Sequence, residues 1–304
     1  MIAFGTSVSD SSDYRRHAQP GIERSAESGS DVYAFQSVGA IGRSSNLVLD
    51  HAATLDDLEA LVLVDQRVEL VDPGLCEKVR SCLGDQAVGV VGAVGAKGVR
   101  SIAWWEGDIS SGTVTHRYPE YEGGELPAFS WKQHSPAPQE VDALDASLLV
   151  LSPWAVRNVR FDESLALGYG HGVDYCMQVR AAGRRVMTAD FQLVHHRSIE
   201  VVEDPELWTE AHIQFAEKWD DTLVDDPPDS DAWKRRARRA EAEREAAHTI
   251  AYSAASTLVA QLASVEHELN EATDTLAWRI TAPLRQANHW RRSRAARQRR
   301  NDAR

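Results

Sequence analysis

The segment from Phe161 to Ser198 carries the residues whose types and spacing best suit catalysis. Asp174 follows a turn with three glycines and opens a predicted short helix, which Gly183 ends. An apolar strand comes next, and His195 and His196 stand at its end. A carboxylate at a helix start, together with imidazoles at a strand end, suits a general base beside a charged or metal-bound ligand.

A second candidate group begins with Asp65, which ends an apolar strand and is followed by Gln66 and Arg67. In open α/β sheets, ligand-binding carboxylates favour the carboxyl ends of strands. A carboxylate there could hold a hard divalent cation, which would neutralise a diphosphate. Two alternatives stay open: Asp65 is also suited to form a turn or cap a helix, and strand-end histidines also hydrogen-bond to loops without any ligand.

Aromatic residues, with Gly and Pro, fill residues 104–131 and predict an inserted hairpin or loop. Trp104 and Trp105 could stack on a sugar acceptor there, and burial within the hairpin is the alternative. The glycines from Gly89 to Gly95 do not form a dinucleotide fingerprint. The first lies inside a predicted strand, and no acidic residue follows at the required distance.

The elements that must position these residues alternate along the first 220 residues. Predicted strands cover Ile2–Ser7, Asp31–Gln36, Ala60–Asp65, Ala87–Val94, Leu148–Leu151 and Arg185–Ala189. Predicted helices cover Gly21–Ser28, Ser44–Ala53, Pro73–Gly84, Gly172–Ala182 and Asp204–Trp219. Strands that alternate with helices indicate an α/β fold, with a mostly parallel sheet flanked by helices on both faces.

The composition is that of a globular protein, with 304 residues, 43% hydrophobic and 26% charged. No run approaches about 18 apolar residues, so the sequence predicts no transmembrane helix. The first residues, MIAFGTSV, read as a strand and not as a signal peptide. Three unevenly spaced cysteines argue against a disulfide framework or zinc site, and we expect a cytoplasmic location.

Charge divides the chain sharply. The net charge is −13, and residues 277–304 hold nine Arg and one Asp, or +8, so the preceding 276 residues carry −21. An acidic body argues against nucleic acid as a partner. The basic tail interleaves Arg with Trp, which favours peripheral contact with the inner face of a membrane, although a solvated disordered tail is equally compatible with it.

The sequence also predicts how the C-terminal part of the chain is organised. Residues 1–220 form the first predicted domain, 221–231 a linker rich in Asp and Pro, 232–276 a helical segment and 277–304 the basic tail. Apolar residues recur at steps of three and four at Ala251, Ala255, Leu258, Leu262, Val265, Leu269, Ala272 and Leu276. This pattern predicts a coiled coil and a homo-oligomer through residues 251–276, and a single helix packed on its own domain is the alternative.

Taken in order, these blocks resemble glycosyltransferase family 2, whose members have a GT-A fold, and in particular the branch of streptomycin-biosynthesis glycosyltransferase-like domains. The resemblance covers residues 1 to about 200. Its most specific part is the segment FDESLALGYGHGVDYCMQVRAAG, where Asp174, Cys176, Arg180 and Gly183 match the family's acidic turn and helix.

The resemblance implies roles for individual residues. Asp174 would be the general base that deprotonates an acceptor hydroxyl in an inverting transfer. Asp65 would bind a divalent cation, Mg²⁺ or Mn²⁺, with His195 as a later ligand. Thr6, Arg43, Asn46, Asp65, Arg67 and Asp145 would contact the nucleotide-sugar donor.

The chain departs from the family at two of these positions. Arg67 stands where the family usually has an acidic residue, and Ala146 follows Asp145 where glycine is usual. A guanidinium cannot ligate a cation, but it binds phosphate through two hydrogen bonds. These departures put the metal in doubt.

The resemblance therefore implies an inverting glycosyltransferase that moves a sugar from a nucleotide-sugar donor to a saccharide or lipid-linked saccharide, in polysaccharide or cell-envelope synthesis. The departures motivate an alternative, a non-catalytic scaffold that binds nucleotide sugars or saccharides in a degenerate GT-A site.

Overall fold

The structure is a computed structural model that describes residues 1–37, 41–119, 124–128, 133–165, 169–197, 202, 204–223 and 231–274. The chain divides into two compact units, residues 1–254 and 255–304. This division falls inside the last helix, whereas the sequence analysis placed the linker at residues 221–231. Residues 224–230 and the basic tail at 277–304 lie outside the described residues.

Short strands account for much of the first unit. They are β1 (Ile2–Val8), β2 (Val32–Gln36), β3 (Ala60–Val64), β4 (Val68–Leu70), β5 (Val88–Gly92), β6 (Val94–Lys97), β7 (Ile109–Gly112), β8 (Val114–Tyr118), β9 (Gly124–Ala128), β10 (Gln133–Ser135), β11 (Ala143–Leu144), β12 (Leu148–Leu151), β13 (Arg185–Thr188) and β14 (Leu193–His196).

Helices connect the strands. They are α1 (Ser11–Asp13), α2 (Gln19–Ser25), α3 (Ile41–Ala53), α4 (Leu75–Leu83), α5 (Pro153–Asn158), α6 (His171–Ala181), α7 (Pro205–Leu223) and α8 (Asp231–Asp274). A π-helical turn at Tyr14–Ala18 joins α1 to α2, and a 3₁₀ turn covers Trp104–Glu106. Helix α7 thus runs three residues into the predicted linker.

Six strands form the central sheet in the order β13-β5-β12-β3-β1-β2. Strand β1 pairs in parallel with β2 and β3, and β13 pairs in parallel with β5, while β12 runs antiparallel to both of its neighbours. The strands are short, apolar and largely buried, as expected for a sheet covered on both faces. The predicted α/β fold with a mostly parallel sheet flanked by helices is confirmed.

Helices cover the two faces of this sheet with separate apolar clusters. Leu49 of α3, Val179 of α6 and Phe215 of α7 belong to one cluster and are 0% exposed. Ile22 of α2 and Val79 of α4 belong to the cluster on the other face. Burial of these side chains, at about 25 cal/mol per Å² of apolar surface, holds the layers together.

Two small four-stranded sheets adjoin the central one, in the orders β10-β7-β6-β11 and β4-β14-β8-β9. Strands β7 to β9 come from the aromatic stretch 104–131, so the predicted insertion contains strands where it is described. In the second sheet β14 pairs with β4 on one side and with β8 on the other. This pairing brings the end of β14, with His195, next to the segment that follows β3.

The second unit contains the last part of α8. Leu258, Leu262, Val265 and Leu269 of the predicted seam are 58–65% exposed. Such apolar positions exposed along one helix are compatible with the predicted coiled coil, which stays a prediction. None of the described helices is long and apolar enough to cross a membrane.

Candidate active site

A cavity of about 410 Å³ opens where β1 and β3 end. Ser7 and Ser9 line it from the first strand, Asp65 from the end of β3, and Asp145 from the loop before β12. Because β1 and β3 are parallel neighbours, their carboxyl ends meet at one edge of the sheet, where ligands of open α/β sheets bind. His195 adds an imidazole from the adjoining sheet.

Asp65 lies beside the two residues predicted to accompany it, Arg67 and His195. Its Oδ1 accepts a hydrogen bond of 2.8 Å from the Arg67 backbone N–H, and the Arg67 Nε lies 3.9 Å away. His195 Nε2 is 3.6 Å from the same oxygen. Burial alone would raise the pKa of Asp65, but His195 and Arg67 hold it well below its usual value. Asp65 is therefore a carboxylate at neutral pH.

Asp145 reaches the same edge as a second carboxylate. Its Oδ1 accepts a hydrogen bond of 2.8 Å from the Ser147 N–H, which closes the tight turn before β12. Burial raises its pKa, but the effects of His195, Ser147 and His116 outweigh burial and leave the pKa lowered. Two ionised carboxylates thus face the cavity beside one imidazole pair.

The imidazole pair is formed by His116 of β8 and His195 of β14. The two residues are register partners, and their rings lie 5.4 Å apart, centroid to centroid. Burial, followed by the nearby Arg197 and His195, lowers the pKa of His116 to about 3. His116 is therefore neutral at physiological pH, and its ring packs under His195 as an uncharged support.

Several buried polar atoms of this region have no hydrogen-bond partner among the described residues. They are both ring nitrogens of His195, Nδ1 of His116 and the hydroxyls of Thr6 and Ser147. An unpaired buried polar group costs about 1–3 kcal/mol, so folded proteins pair nearly all of them. His195 and Ser147 also line the cavity, and their unpaired atoms fit a polar ligand there.

The side chains around Asp65 and His195 provide only part of a coordination shell for a cation. Asp65 and His195 are the predicted ligands, and they lie next to each other. Within the described residues, however, no group of three or more His, Cys, Asp or Glu side chains could hold a metal ion. The Arg67 guanidinium near Asp65 Oδ1 also competes with a cation for that oxygen. The residues present do not fit a resident metal, and we derive no step through one.

The remaining predicted donor contacts lie away from the cavity. Thr6 is buried within β1, but side chains alternate along a strand, and Ser7 lines the cavity in its place. On α3, Arg43 is exposed, while Ser45 lines the cavity. Asn46 exchanges two hydrogen bonds of 2.9 Å with the backbone of Phe161 and thereby ties α3 to the turn before α6.

Asp174 occupies a different environment from the other predicted site residues. It is 0% exposed and does not line the cavity. Three side chains reach its carboxylate, each at 2.7 Å: Lys218 Nζ, Trp219 Nε1 and Gln178 Nε2. Two of these donors come from α7, so the carboxylate joins α6 to α7. The role of general base stays a prediction, and it would require α7 to withdraw from the carboxylate.

Lys218 strengthens this junction from the α7 side. Its Nζ also donates a 2.6 Å hydrogen bond to Asp162 Oδ2. Burial alone would lower the pKa of Lys218, but the bonds to Asp162 and Asp174 raise it. The same ammonium, followed by Ser164, lowers the pKa of Asp162 to about 2.

Helix α6 instead presents its first residue to the cavity. Gly170 precedes the helix with φ 76°, a left-handed conformation that glycine adopts without strain. His171 follows as a half-buried residue that lines the cavity. A Cβ on Gly172 would lie 2.7 Å from the Cβ of Ala146, so the helix start packs closely against the loop that carries Asp145.

Aromatic rings form part of the lining. Trp104 and Trp105, the predicted acceptor contacts, both line the cavity and meet edge to face at 6.0 Å. Trp208 of α7 stacks on Trp105 at 5.7 Å, and Tyr169 meets Trp208 edge to face at 5.0 Å. Trp208 is 3% exposed and also lines the cavity. The cavity therefore combines charged and polar groups with a cluster of aromatic rings.

The sequence analysis missed several residues of the site. Gln66 accepts hydrogen bonds of 2.8 and 2.9 Å from the backbone N–H groups of Ser9 and Asp10, and so fixes the loop after β1. Arg197, directly after the His pair, lines the cavity as a second guanidinium beside Arg67. Its place after a strand end was the available signal, the same one that pointed to Asp65.

Comparison with known proteins bears on what this cavity does. Residues 33–219 match the model described as a glycosyltransferase-like family. The chain is 33% identical over 200 residues to the streptomycin biosynthesis protein StrF of Streptomyces griseus, covering 65% of this chain and 67% of that protein.

Two solved structures are also similar. A mannosyltransferase from Pyrobaculum calidifontis, in complex with GDP-Man and Mn²⁺, has a TM-score of 0.45 and 11% identity, covering 92% of this chain and 81% of that chain. The protein A197 from STIV has a TM-score of 0.40 and 10% identity, covering 62% of this chain and 81% of that chain.

Proposed function

Because the chain belongs to the glycosyltransferase-like family, we propose that it moves a sugar from a nucleotide-sugar donor to a hydroxyl of a saccharide or lipid-linked saccharide, with inversion. The family resemblance seen in the sequence is thereby confirmed, and family membership supports sugar transfer in general. The convergence of Asp65, Asp145 and His195 on one cavity, which Trp104 and Trp105 also line, is the observation that carries the proposal.

The donor is proposed to bind along the polar side. Carboxylates accept hydrogen bonds from hydroxyl groups, so Asp65 and Asp145 suit the hydroxyls of the ribose or of the donor sugar. Phosphates need positive charge, which Arg67 and Arg197 supply on the same side. With this division the two carboxylates bind neutral groups and the two guanidinium groups bind the diphosphate.

The acceptor is proposed to bind against the aromatic rings. Trp104 and Trp105 line the cavity, and a sugar ring can stack on an indole face there. An acceptor oxygen held in this way would attack the anomeric carbon. The bond from that carbon to the diphosphate oxygen then breaks, and the nucleoside diphosphate leaves with the electron pair.

The attacking hydroxyl must also lose its proton. The sequence assigns this step to Asp174, but a general base has to reach the hydroxyl within hydrogen-bond distance, directly or through one water. Asp174 has three donors and no face on the cavity. The contacts therefore favour Asp174 as a positioning residue for α7, and His171, which lines the cavity at the start of α6, as the group that accepts the proton.

A turnover assay tests the proposal. The full chain would be incubated with sugars activated by UDP, GDP, ADP or TDP, together with saccharide and lipid extracts, and released nucleoside diphosphate and glycosylated product would be measured. We expect release that depends on the acceptor, and a loss of about 100-fold in His171→Gln. Asp56→Asn, on an exposed loop, is the matched control.

One observation favours a second candidate, a scaffold that binds nucleotide sugars without transferring them. The acid at the start of α6 faces α7 and not the cavity, and Arg67 competes with a cation beside Asp65. The scaffold would be favoured if a nucleotide sugar binds tightly but no extract yields a product. Asp145→Asn and His171→Gln would then change nothing except the affinity for the nucleotide sugar.

The C-terminal region is proposed to bring copies of the protein to their acceptor. The exposed seam of Leu258, Leu262, Val265 and Leu269 would pair with a second copy. The basic tail, with nine Arg in residues 277–304, would contact the inner face of a membrane from the cytoplasm. Sedimentation of the full chain, with and without anionic vesicles, tests both statements.

A further inference from the structure

The three residues that follow β3 connect the candidate active site to three different parts of the chain. The Asp65 N–H donates a 3.0 Å hydrogen bond to the carbonyl of Ser147, in the loop before β12. The Arg67 carbonyl accepts one of 2.9 Å from the N–H of His196, at the end of β14. Gln66 lies between them and makes the third connection through its side chain, to the loop after β1.

Both ends of the Gln66 amide bind that loop. Its Oε1 accepts hydrogen bonds of 2.8 Å from the Ser9 N–H and 2.9 Å from the Asp10 N–H, and its Nε2 donates one of 2.8 Å to Ser9 Oγ. Because a backbone N–H can only donate, these contacts fix which way the amide faces. Gln66 is only 6% exposed, so its place suits holding the loop more than binding a ligand itself.

The loop held in this way is short. Strand β1 ends at Val8 and α1 begins at Ser11, so Ser9 and Asp10 are the connection between them. Asp10 caps α1, since its Oδ1 accepts a 2.7 Å hydrogen bond from the Ser12 N–H. Ser9 is exposed and lines the cavity. It is therefore the residue of this connection whose side chain can meet a ligand.

The bond from Gln66 also limits what the Ser9 hydroxyl can do. A hydroxyl has one proton to donate and two lone pairs that accept. One lone pair of Ser9 Oγ takes the Nε2 proton, so the hydroxyl's own proton is directed away from Gln66. An oxygen of a ligand in the cavity, on a ribose or on a phosphate, is a suitable acceptor for that proton.

We propose that Gln66 is a positioning residue for the nucleotide-sugar donor: it holds Ser9 so that the serine hydroxyl donates a hydrogen bond to an oxygen of the donor's ribose or diphosphate. The inference rests on the proposed sugar transfer, because that function supplies the donor. It adds to that function a side chain that acts on donor affinity through its neighbour. The loop contacts themselves can be measured without any ligand.

Hydrogen exchange of the full chain without ligand tests the contacts. Gln66→Leu keeps roughly the size of the side chain but removes all three bonds, and we expect the amide protons of Ser9 and Asp10 to exchange about tenfold faster. Gln86→Leu is the matched control, because Gln86 is exposed and does not line the cavity. Exchange that Gln66→Leu leaves unchanged would overturn the proposal.

Calorimetric titration with a nucleoside diphosphate tests the role in binding. UDP, GDP, ADP and TDP would each be tried, and the one that binds would be used. We expect Gln66→Leu and Ser9→Ala each to weaken its binding on the order of tenfold, since each removes the same hydrogen bond to the ligand. Because Gln66 acts through Ser9, the double variant should also lose only about tenfold. Losses that multiply to about 100-fold would contradict this coupling and overturn the proposal.

A titration with the matching nucleoside identifies the acceptor oxygen. Where Ser9 donates to the ribose, both substitutions weaken the nucleoside and the nucleoside diphosphate equally. Where it donates to a phosphate, they weaken the nucleoside diphosphate alone. Both results support the proposal, because in each the two substitutions act on the same contact.

Urea denaturation separates positioning from a purely structural role. Ser9 is exposed, so Ser9→Ala should keep the urea midpoint of the natural chain while it loses affinity for the nucleotide. This variant tests the hydroxyl even where Gln66→Leu folds poorly. An affinity that falls only with the folded fraction of Gln66→Leu, and that Ser9→Ala leaves unchanged, would make Gln66 a structural residue and overturn the proposal.

Failure of this inference and failure of the proposed function give different results. Nucleotide binding that neither substitution changes overturns the inference and leaves sugar transfer standing. The expected coupling, in a protein that forms no glycosylated product, supports the inference and removes the transfer. A chain that binds no nucleoside diphosphate overturns both.

Discussion

Two groups of carboxylates in this molecule differ in burial and in how completely they are paired. Asp174 is 0% exposed and has three side-chain donors at 2.7 Å, from Gln178, Lys218 and Trp219. At the strand ends, by contrast, the Asp65 side chain is 34% exposed, and His195, 3.6 Å from it, has no hydrogen bond from either ring nitrogen among the described residues. Removing one partner from a fully paired buried charge costs stability, whereas an incomplete set leaves room for a ligand.

The largest effect that this comparison predicts is at the strand ends. Asp65→Asn removes the negative charge beside His195 and Arg67 but keeps the shape of the side chain, so the fold should survive while donor hydroxyls lose a charged acceptor and keep only a neutral amide oxygen. We expect acceptor-dependent turnover to fall by about 100-fold or more, with the free energy of unfolding lowered by about 1 kcal/mol. Turnover assays and urea denaturation measure the two quantities. Unchanged turnover would show that the cluster does not bind the donor.

A substitution at the junction of α6 with α7 should lower the free energy of unfolding more than one at the strand ends. Lys218→Met leaves the Asp174 carboxylate buried without its cation, and we expect the free energy of unfolding to fall by about 3 kcal/mol. Lys218→Arg keeps the charge and is the matched control.

Asp174→Asn distinguishes the two roles of this carboxylate directly. As a positioning residue, Asp174 should lose stability on substitution, by about 2 kcal/mol, while the kcat of the folded protein stays within about tenfold. A kcat lowered by more than about 100-fold, with the urea midpoint unchanged, would restore Asp174 as the general base.

The smallest predicted effect concerns pH. His116 is neutral in the folded protein down to a pKa of about 3, whereas an unfolded histidine titrates near its usual 6.5. The unfolded state therefore binds more protons between these values, so the contribution of His116 to stability is complete above pH 6.5 and is lost as the pH falls toward 3. The imidazole C–H resonance of His116 in the NMR spectrum should not shift between pH 8 and pH 5.

The effect of His116 protonation on stability is measured by comparing the natural chain with His116→Gln. The variant cannot gain the proton, so its free energy of unfolding should depend less steeply on pH between about 6 and 4 than that of the natural chain. A normal titration of His116 near pH 6.5 would mean that its ring is solvated and that it does not support His195.

Much of the fold could be predicted from the sequence because its signals are local. Apolar runs such as Ala60–Val64 and Leu148–Leu151 are short and separated by turns, and their order fixes a mostly parallel sheet. The strand-end rule pointed to Asp65 in the same way, whereas Asp145 and the ligand role of His195 came from the family resemblance.

The predicted donor contacts differ from the cavity lining in phase. Thr6 was chosen on β1, where Ser7 faces the cavity, and Arg43 and Asn46 were chosen on α3, where Ser45 does. One position along a strand turns the side chain to the other face, and one along a helix turns it by about 100°. A sequence pattern without a partner strand or helix does not fix this phase to a single residue.

The environment of Asp174 could not be predicted for a different reason. Its cation, Lys218, lies 44 positions further along the chain on α7, and nothing in the segment around Asp174 identifies that partner. Local spacing suggested a base, whereas the tertiary contact indicates an anchor.

The central claim is that the ligand binds at the strand-end cluster while Asp174 stays beneath α7. A crystal structure of the full chain with a bound nucleoside diphosphate tests it most directly. The account predicts hydroxyls of the ligand on Asp65 or Asp145, its phosphates on Arg67 and Arg197, and Lys218 still paired with Asp174. A ligand bound elsewhere, or α7 withdrawn so that Asp174 faces the ligand, would contradict it.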